Sequence, residues 1–382
     1  MTTATLQDYE VEPKTSWVDA AREVADAIAG DAADHDRSGT FVSAGIDRAR
    51  DHGLVSMLVP TELGGGGATH AETCAALTTL AHGCPATALT LSMHSHLVAA
   101  QVWRHKHDLP APVLPRVAAE RLFLVSTGAA DWIDSHGRSS RVEGGFRVTA
   151  RKSPSSGCPA GDVLVSSARW DDGPDGPQVI HFAVPFAADG VSIDETWDTM
   201  GMRGTGSHTV VLDDVFVPDA AVSLTRAAGV WHPVWNTVMG AAMPLIMSVY
   251  VGIAEAAAEQ AMALVGARRD AKTTVPLIGR MLNQLHTSQD GLAAMLELSD
   301  DLRFANTDDL AASVLSRKTV VAEAAIGTVR LAMEAVGGAG YSTSTGLERL
   351  YRDVHGGLYH PLPAAKQEVF TGRVALGLGP VG

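Results

Sequence analysis

The residues from Trp197 to Pro218, WDTMGMRGTGSHTVVLDDVFVP, join a glycine-rich loop to a strand and constrain the fold more than any other stretch. Val210 and Leu212 can face one side while Val211 and Asp213 face the other, as in a strand that is covered on one side. The loop before the strand, GMRGTGSH, contains three glycines and the polar side chains of Arg203, Thr205 and Ser207. Glycines let backbone N–H groups approach a ligand closely, so the loop suits an oxygen-rich cofactor or a carbonyl. The alternative is a simple turn between two strands.

Helical patterns flank a region of short strands. Apolar residues recur at intervals of three and four from Trp17 to Ile28, and similar patterns continue to about residue 119. The strands are predicted at Leu122 to Ser126, Gly145 to Thr149, Val163 to Ser167, Val179 to Val184 and Val210 to Val217. Their spacing favours a small antiparallel barrel or sandwich. Apolar-rich helices follow Pro218 and predict a four-helix bundle.

The chain is therefore expected to have an α+β fold that is mainly α. Its predicted parts are a flexible N-terminus (1–16), an N-terminal helical domain (17–120), a middle antiparallel β-barrel domain (121–222) and a C-terminal four-helix bundle (223–382).

Charge and cysteine content exclude several classes of function. The formal net charge of −14 argues against a nucleic-acid surface, because phosphate binding needs concentrated lysine and arginine. The three cysteines, Cys74, Cys84 and Cys158, have neither the spacing of a metal site nor that of a disulfide framework. The N-terminal residues lack a signal-peptide pattern, and no apolar run reaches the roughly 18 residues of a membrane span. A cytoplasmic protein without a metal or a membrane partner is expected.

Four motifs resemble the acyl-CoA dehydrogenase superfamily of flavoproteins. They are GMRGTGS with the following strand, the GLVSMLVPTELGGGG segment (53–67), the glycine turn EAVGGAGY (334–341) and the run LERLYRD (347–353). The resemblance covers almost the whole chain from about residue 17. It implies FAD, or FMN, as cofactor and a homotetramer in which neighbouring subunits share the flavin site.

The resemblance also implies which residues contact the flavin. The candidates on the middle domain are Ser126, Thr127, Ser156, Arg203, Thr205 and Ser207. The candidates on the bundle are Arg268, Arg269, Gly337, Gly338 and Gly340. The two arginines can instead complement the dipole of a helix end. Glu334 departs from the family's glutamine, so it must point away from a pyrophosphate, be neutralised by an arginine, or indicate a different cofactor arrangement.

His360 is the candidate catalytic residue. In the dehydrogenases the LERxxRD run leads to a glutamate that removes the α-proton of an acyl thioester, whereas here His360 and Pro361 take its place. The flavin-dependent monooxygenases of this fold have a histidine at the same spacing, eight residues after Arg352. His94, His96 and Tyr359 are candidates for lining the substrate pocket. The alternatives are core histidines at 94 and 96 and a loop-capping role for His360.

Three functions remain open at this stage. The leading prediction is α,β-dehydrogenation of an acyl-CoA or carrier-bound thioester, with His360 as the base and an electron-transfer partner as acceptor. The first alternative is a reduced-flavin-dependent monooxygenase that acts on an aromatic, amine or sulfur substrate and needs a flavin reductase. The second alternative is a catalytically silent member of the family.

Overall fold

Helices form the first part of the protein. The fold is that of a computed structural model, which describes residues 16–127 and 130–381, so the predicted flexible N-terminus lies outside the described residues except for Ser16. The helices are α1 (Trp17–Ile28), α2 (Ala32–Ser38), α3 (Ser43–Asp51), α4 (His70–Gly83), α5 (Pro85–Lys106) and α6 (Val113–Glu120). Helix α4 begins at a capping box, in which Thr69 accepts from the backbone of Glu72 and Glu72 accepts from the backbone of Thr69. The apolar stripe predicted on α1 is buried against α4.

An eight-stranded sheet follows the first helices. Its strands are β1 (Leu124–Ser126), β2 (Arg138–Val142), β3 (Gly145–Lys152), β4 (Val163–Trp170), β5 (Gln178–Pro185), β6 (Val191–Asp194), β7 (Thr209–Pro218) and β8 (Val222–Ala227). The order is β6-β7-β3-β2-β4-β5-β8, with β1 parallel to β4. The sheet expected as an antiparallel barrel or sandwich does not close in the described residues, because the edge strands β6 and β8 do not pair, and its β1–β4 and β2–β4 pairs are parallel. The fold class itself is confirmed.

The C-terminal helices are α7 (Val234–Leu264), α8 (Thr274–Ser299), α9 (Asp308–Val336), α10 (Leu347–Val354) and α11 (Ala364–Ala375). Helix α7 packs on α8 and α9 and also on α4 and α5, so it is buried on several faces. By length and hydropathy this one helix among the described residues could cross a membrane. Since 94% of its most apolar window is buried inside the protein, it is a core helix. The domain limits proposed from the sequence stay a prediction.

The glycine-rich loop lies where the helical parts and the sheet meet. Gly204 accepts a hydrogen bond from the backbone of Val42, and the buried carboxylate of Asp353 accepts from Met202 N at 2.5 Å. Gly201 has to be a glycine, because a Cβ there would lie 2.3 Å from the carbonyl oxygen of Arg352. The loop is thereby fixed against α10, whose end leads into the segment that carries His360.

Candidate active site

His360 is held by a tyrosine that the sequence analysis did not single out. The imidazole Nε2 lies 2.7 Å from the phenol oxygen of Tyr250, a fully buried residue on α7. Burial, and then the charge of Asp353, raise the pKa of Tyr250 well above its usual value, so the phenol keeps its proton. Burial lowers the pKa of His360 to about 3, with smaller contributions from the charges of Lys318 and His96. The imidazole is therefore neutral at physiological pH.

Lys318 and His96 complete the surroundings of His360. Lys318 on α9 is 1% exposed, and its ammonium donates one hydrogen bond, of 3.3 Å, to the carbonyl oxygen of Leu362. Among the described residues no carboxylate pairs with it, and burial lowers its pKa to about 8. His96 on α5 is also buried; burial and then His94 lower its pKa to about 4, and its Nδ1 has no hydrogen-bond partner in the described part of the chain. A buried polar atom of this kind is a candidate for contact with a ligand or water.

Local sequence carries a faint signal for the two residues that were missed. Tyr250 lies inside the long apolar run of α7, and Lys318 occupies an apolar stripe of α9 that includes Leu315 and Val321. A buried ionisable residue in such a stripe is a candidate for function. The partners of Tyr250 and Lys318, however, lie in the loop of residues 355–363, far along the chain, so the contacts themselves could not be predicted.

His94 does not line a pocket, which corrects the sequence prediction. Its Nε2 bonds to the carbonyl oxygen of Val55 at 2.8 Å, and its Nδ1 accepts from the backbone of Leu124 at 2.9 Å. The ring also stacks on Phe123 with centroids 4.8 Å apart. Both nitrogens are used by the protein, so His94 is a structural link from α5 to β1. Tyr359, the other predicted lining residue, is 75% exposed, and its role in a substrate pocket stays a prediction.

Three of the predicted flavin ligands form a chain of hydroxyl groups. The Thr205 and Ser207 oxygens lie 2.7 Å apart, and Ser207 donates to Ser156 over 2.8 Å. Thr205 and Ser207 are buried, whereas Ser156 is partly exposed. The chain therefore ends at an accessible hydroxyl that suits the polar edge of a ring. Thr127, at the end of β1, donates instead to Ser166 at 2.7 Å, and Ser126 beside it is partly buried.

Arg203 bonds to the protein through two of its guanidinium nitrogens, and its contact with a cofactor stays a prediction. Its Nε donates to the carbonyl oxygen of Asp36 at 2.7 Å, and its Nη1 donates to Asp198 and Thr199 at 2.8 Å. The guanidinium thus clamps the glycine-rich loop to the first helices.

The glycine turn after α9 brings some bundle candidates together. Arg268 donates to the carbonyl oxygen of Val336 and lies beside Gly337, which adopts a φ of +71°. Arg268 thus bonds the C-terminal carbonyls of α9, a different helix from the one that it follows in the chain. Glu334 is paired with Arg330 one turn earlier, so its charge is compensated. Arg269 and Gly338 are exposed, while Gly340 is buried against Met333.

Comparison with known proteins decides the family. The model of the acyl-CoA dehydrogenase N-terminal domain matches residues 12–121, and that of the C-terminal domain matches residues 234–357. The amino sugar nitrososynthase DnmZ of Streptomyces peucetius is 31% identical over 96% of this chain and 95% of its own length. The chain belongs to the acyl-CoA dehydrogenase superfamily. The resemblance seen in the sequence is confirmed.

Other relatives span both chemistries of the superfamily. The putative acyl-CoA dehydrogenase YdbM of Bacillus subtilis is 27% identical over 92% of this chain and 94% of its own. The solved structure of KijD3 with FMN and dTDP-3-amino-2,3,6-trideoxy-4-keto-3-methyl-D-glucose has a TM-score of 0.85 and 27% identity, covering 97% of this chain and 96% of KijD3. Further relatives include nitrososynthases, hydroxylases and a probable FMNH2-dependent monooxygenase. The protein is a flavin-dependent oxidoreductase of this fold.

Proposed function

We propose that the protein is a reduced-flavin-dependent monooxygenase that oxygenates the nitrogen of a small amine, with an amino sugar as the first class to test. This replaces the leading prediction of acyl thioester dehydrogenation with its monooxygenase alternative. The observation that carries the proposal is the 2.7 Å contact between His360 and Tyr250 in the loop where dehydrogenases place their catalytic glutamate.

Dehydrogenation needs a base strong enough to take an α-proton. Residues 354–363 contain no carboxylate, and His360 has a pKa near 3, well below the near-neutral value that suits a general base. Such an imidazole is a poor proton acceptor but a good neutral hydrogen-bond group. That property suits a reaction in which a negatively charged oxygen must be bound or protonated.

The relatives support the choice of an amine. The nitrososynthase name of the relative with 31% identity refers to an amino sugar, and KijD3 was solved with an amino sugar nucleotide. A reduced flavin supplies two electrons to O2 in this class of reaction. The chain's own residues then have to exclude water and hold His360 and the Ser156 hydroxyl towards the reacting groups.

The residues fit a flavin ring better than a dinucleotide tail, which favours FMN over FAD. The Thr205–Ser207–Ser156 chain offers hydroxyls to a ring, whereas Arg268 is bonded to backbone carbonyls. We further infer a flavin reductase as partner, a homotetramer, and a cytoplasmic location.

The proposal is tested by mass spectrometry of products. The protein is supplied with FMN, NADH, a flavin reductase, O2 and a panel of nucleotide-linked amino sugars and simple amines, and products heavier by one oxygen atom are expected. His360→Ala should lower product formation by roughly 10²- to 10⁴-fold with flavin still bound. Val369→Ala, at an exposed position of α11, is the control and should be unchanged.

His360→Glu separates the two chemistries. A dehydrogenase should keep or gain α-proton abstraction from an acyl-CoA, whereas the proposed monooxygenase should form less product for each reduced flavin consumed. If His360→Ala retains the wild-type rate on the true substrate, His360 is not the reactive group, and the buried His96 is the next residue to test.

A further inference from the structure

The phenol of Tyr250 has one hydrogen-bond partner among residues 16–127 and 130–381, and that partner is Nε2 of His360 at 2.7 Å. A buried O–H that finds no acceptor loses its hydrogen bonds to water, which is costly. The phenol keeps its proton, because burial and the charge of Asp353 both raise its pKa. The proton of Tyr250 is therefore directed at the Nε2 lone pair.

The loop is shaped to allow this contact. A Cβ at residue 356 would lie 2.8 Å from the phenol oxygen, so Gly356 leaves room for Tyr250 to reach the imidazole. Lys318 fixes the other end of the loop through the carbonyl oxygen of Leu362. The contact between Tyr250 and His360 thus depends on the positions of α7 and α9 and on the absence of a side chain at Gly356.

A neutral imidazole carries one N–H, and an Nε2 that accepts a hydrogen bond leaves that proton on Nδ1. The charged or titratable groups that face His360 are Tyr250 on α7, Lys318 on α9 and His96 on α5, and none of them is a carboxylate. The positive charge of Lys318 opposes a second proton on the ring. In the described residues no group bonds to Nδ1, and part of His360 stays accessible.

We propose that Tyr250 is a positioning residue that holds His360 as the Nδ1–H tautomer, so that the histidine presents a hydrogen-bond donor to the reaction site. The inference rests on the proposed function and adds the role that His360 plays in it. Through Nδ1, His360 donates to an oxygen that carries negative charge. It does not offer a lone pair to an α-proton.

The tautomer can be measured without turnover. Two-bond ¹H–¹⁵N NMR spectra of protein labelled at histidine distinguish Nδ1–H from Nε2–H, and His360→Gln identifies the signals of residue 360. The wild type should show Nδ1–H with and without bound FMN. A wild-type spectrum with the proton on Nε2 overturns the inference, and this holds even if the variants below fail to fold.

Tyr250→Phe removes only the hydroxyl and keeps the ring in the core. We expect the Nδ1–H signature to be lost or mixed and the acid limb of the pH–rate profile to move up by about one pH unit, since a donor to the neutral ring is gone. Product formation should fall roughly 10-fold. Tyr351→Phe, whose ring contacts His355, is the matched control and should change neither readout.

The two proposals fail differently. An unchanged tautomer and pH profile in Tyr250→Phe overturns the role of Tyr250, whatever the reaction is. If the wild type shows Nδ1–H but no amine is oxygenated, the proposed function fails and the assignment of Tyr250 stands.

Discussion

Replacing Lys318 by methionine should stabilise the folded protein at neutral pH, although it removes a charged side chain. The ammonium of Lys318 is buried with a single hydrogen bond to a carbonyl and no carboxylate partner in the described chain. Methionine has a similar shape and needs no counter-charge. The expected gain follows from removing a charge that folding withdraws from water.

The magnitude follows from the pKa of Lys318, which burial lowers from 10.5 to about 8. At about 1.4 kcal/mol per unit, the buried charge costs about 3 kcal/mol at pH 7, and losing the bond to Leu362 returns about 1 to 1.5 kcal/mol. Lys318→Met should therefore raise the free energy of unfolding by about 1 to 2 kcal/mol. Because the folded pKa is the lower one, the wild type gains stability as pH rises from 8 to 10.5, so the advantage of the variant should shrink over that range.

Lys152 is the matched control. It is as buried as Lys318, but its ammonium donates to the buried carboxylate of Asp131 at 2.6 Å and to Ser135 at 3.0 Å. Lys152→Met leaves the buried carboxylate of Asp131 without its lysine partner and should lower the free energy of unfolding by about 3 to 5 kcal/mol.

Urea unfolding at pH 7 and pH 10, followed by circular dichroism, compares both variants with the wild type. The reasoning is refuted if Lys318→Met is destabilised like Lys152→Met and the difference does not change with pH. That result would mean that an anionic group pairs with Lys318 in the assembled protein.

Three further predictions concern acid stability, the hydroxyl chain and assembly. Burial lowers the pKa of five histidines to between about 3 and 4, namely His70, His94, His96, His181 and His360. Below pH 6.5 only the unfolded chain binds their protons, so the free energy of unfolding should fall by about 1.4 kcal/mol per pH unit for each histidine. Denaturant titrations at pH 7, 5.5 and 4.5 would show this fall. Thr205→Val and Ser207→Ala should each weaken flavin binding by roughly 0.5 to 1.5 kcal/mol in equilibrium dialysis. Ser140→Ala, at an exposed position of β2, is the control and should leave flavin binding unchanged. Unchanged affinity in both loop variants would make the loop a simple turn. Light scattering should give the mass of a tetramer, or at least a dimer, and a monomer that keeps stoichiometric flavin would contradict a shared site.

The sequence predicted the elements with strong apolar periodicity. The apolar stripe of α1 and the alternation in β3, β4, β5 and β7 all lie in elements of the structure. Strands β2, β6 and β8 were missed, because RSSRV, VSID and VSLTRA carry too few apolar residues to show a period. Whether the sheet closes into a barrel depends on pairing between its two edge strands, and a local sequence pattern does not predict that pairing.

The site was predicted only where a motif marks it. His360 follows the LERLYRD run at a fixed spacing, and Ser156, Thr205 and Ser207 do come together. The sequence alone could not show that His94 is a structural residue and not a residue that lines a pocket, because its partners at Val55 and Leu124 come from distant segments. Tyr250 and His360 are 110 residues apart in the chain, and the packing of α7 brings them into contact.

The most direct measurement of the central claim compares one preparation under two conditions. Purified FMN-loaded protein is mixed anaerobically with a panel of acyl-CoAs, and the flavin absorbance is followed. The same protein, with FMN reduced by NADH and a reductase, is then exposed to ¹⁸O2 and an amino sugar. We predict no bleaching in the first experiment and a product that carries one ¹⁸O atom on nitrogen in the second. Stoichiometric bleaching by an acyl-CoA, with no ¹⁸O in any amine, would contradict the account.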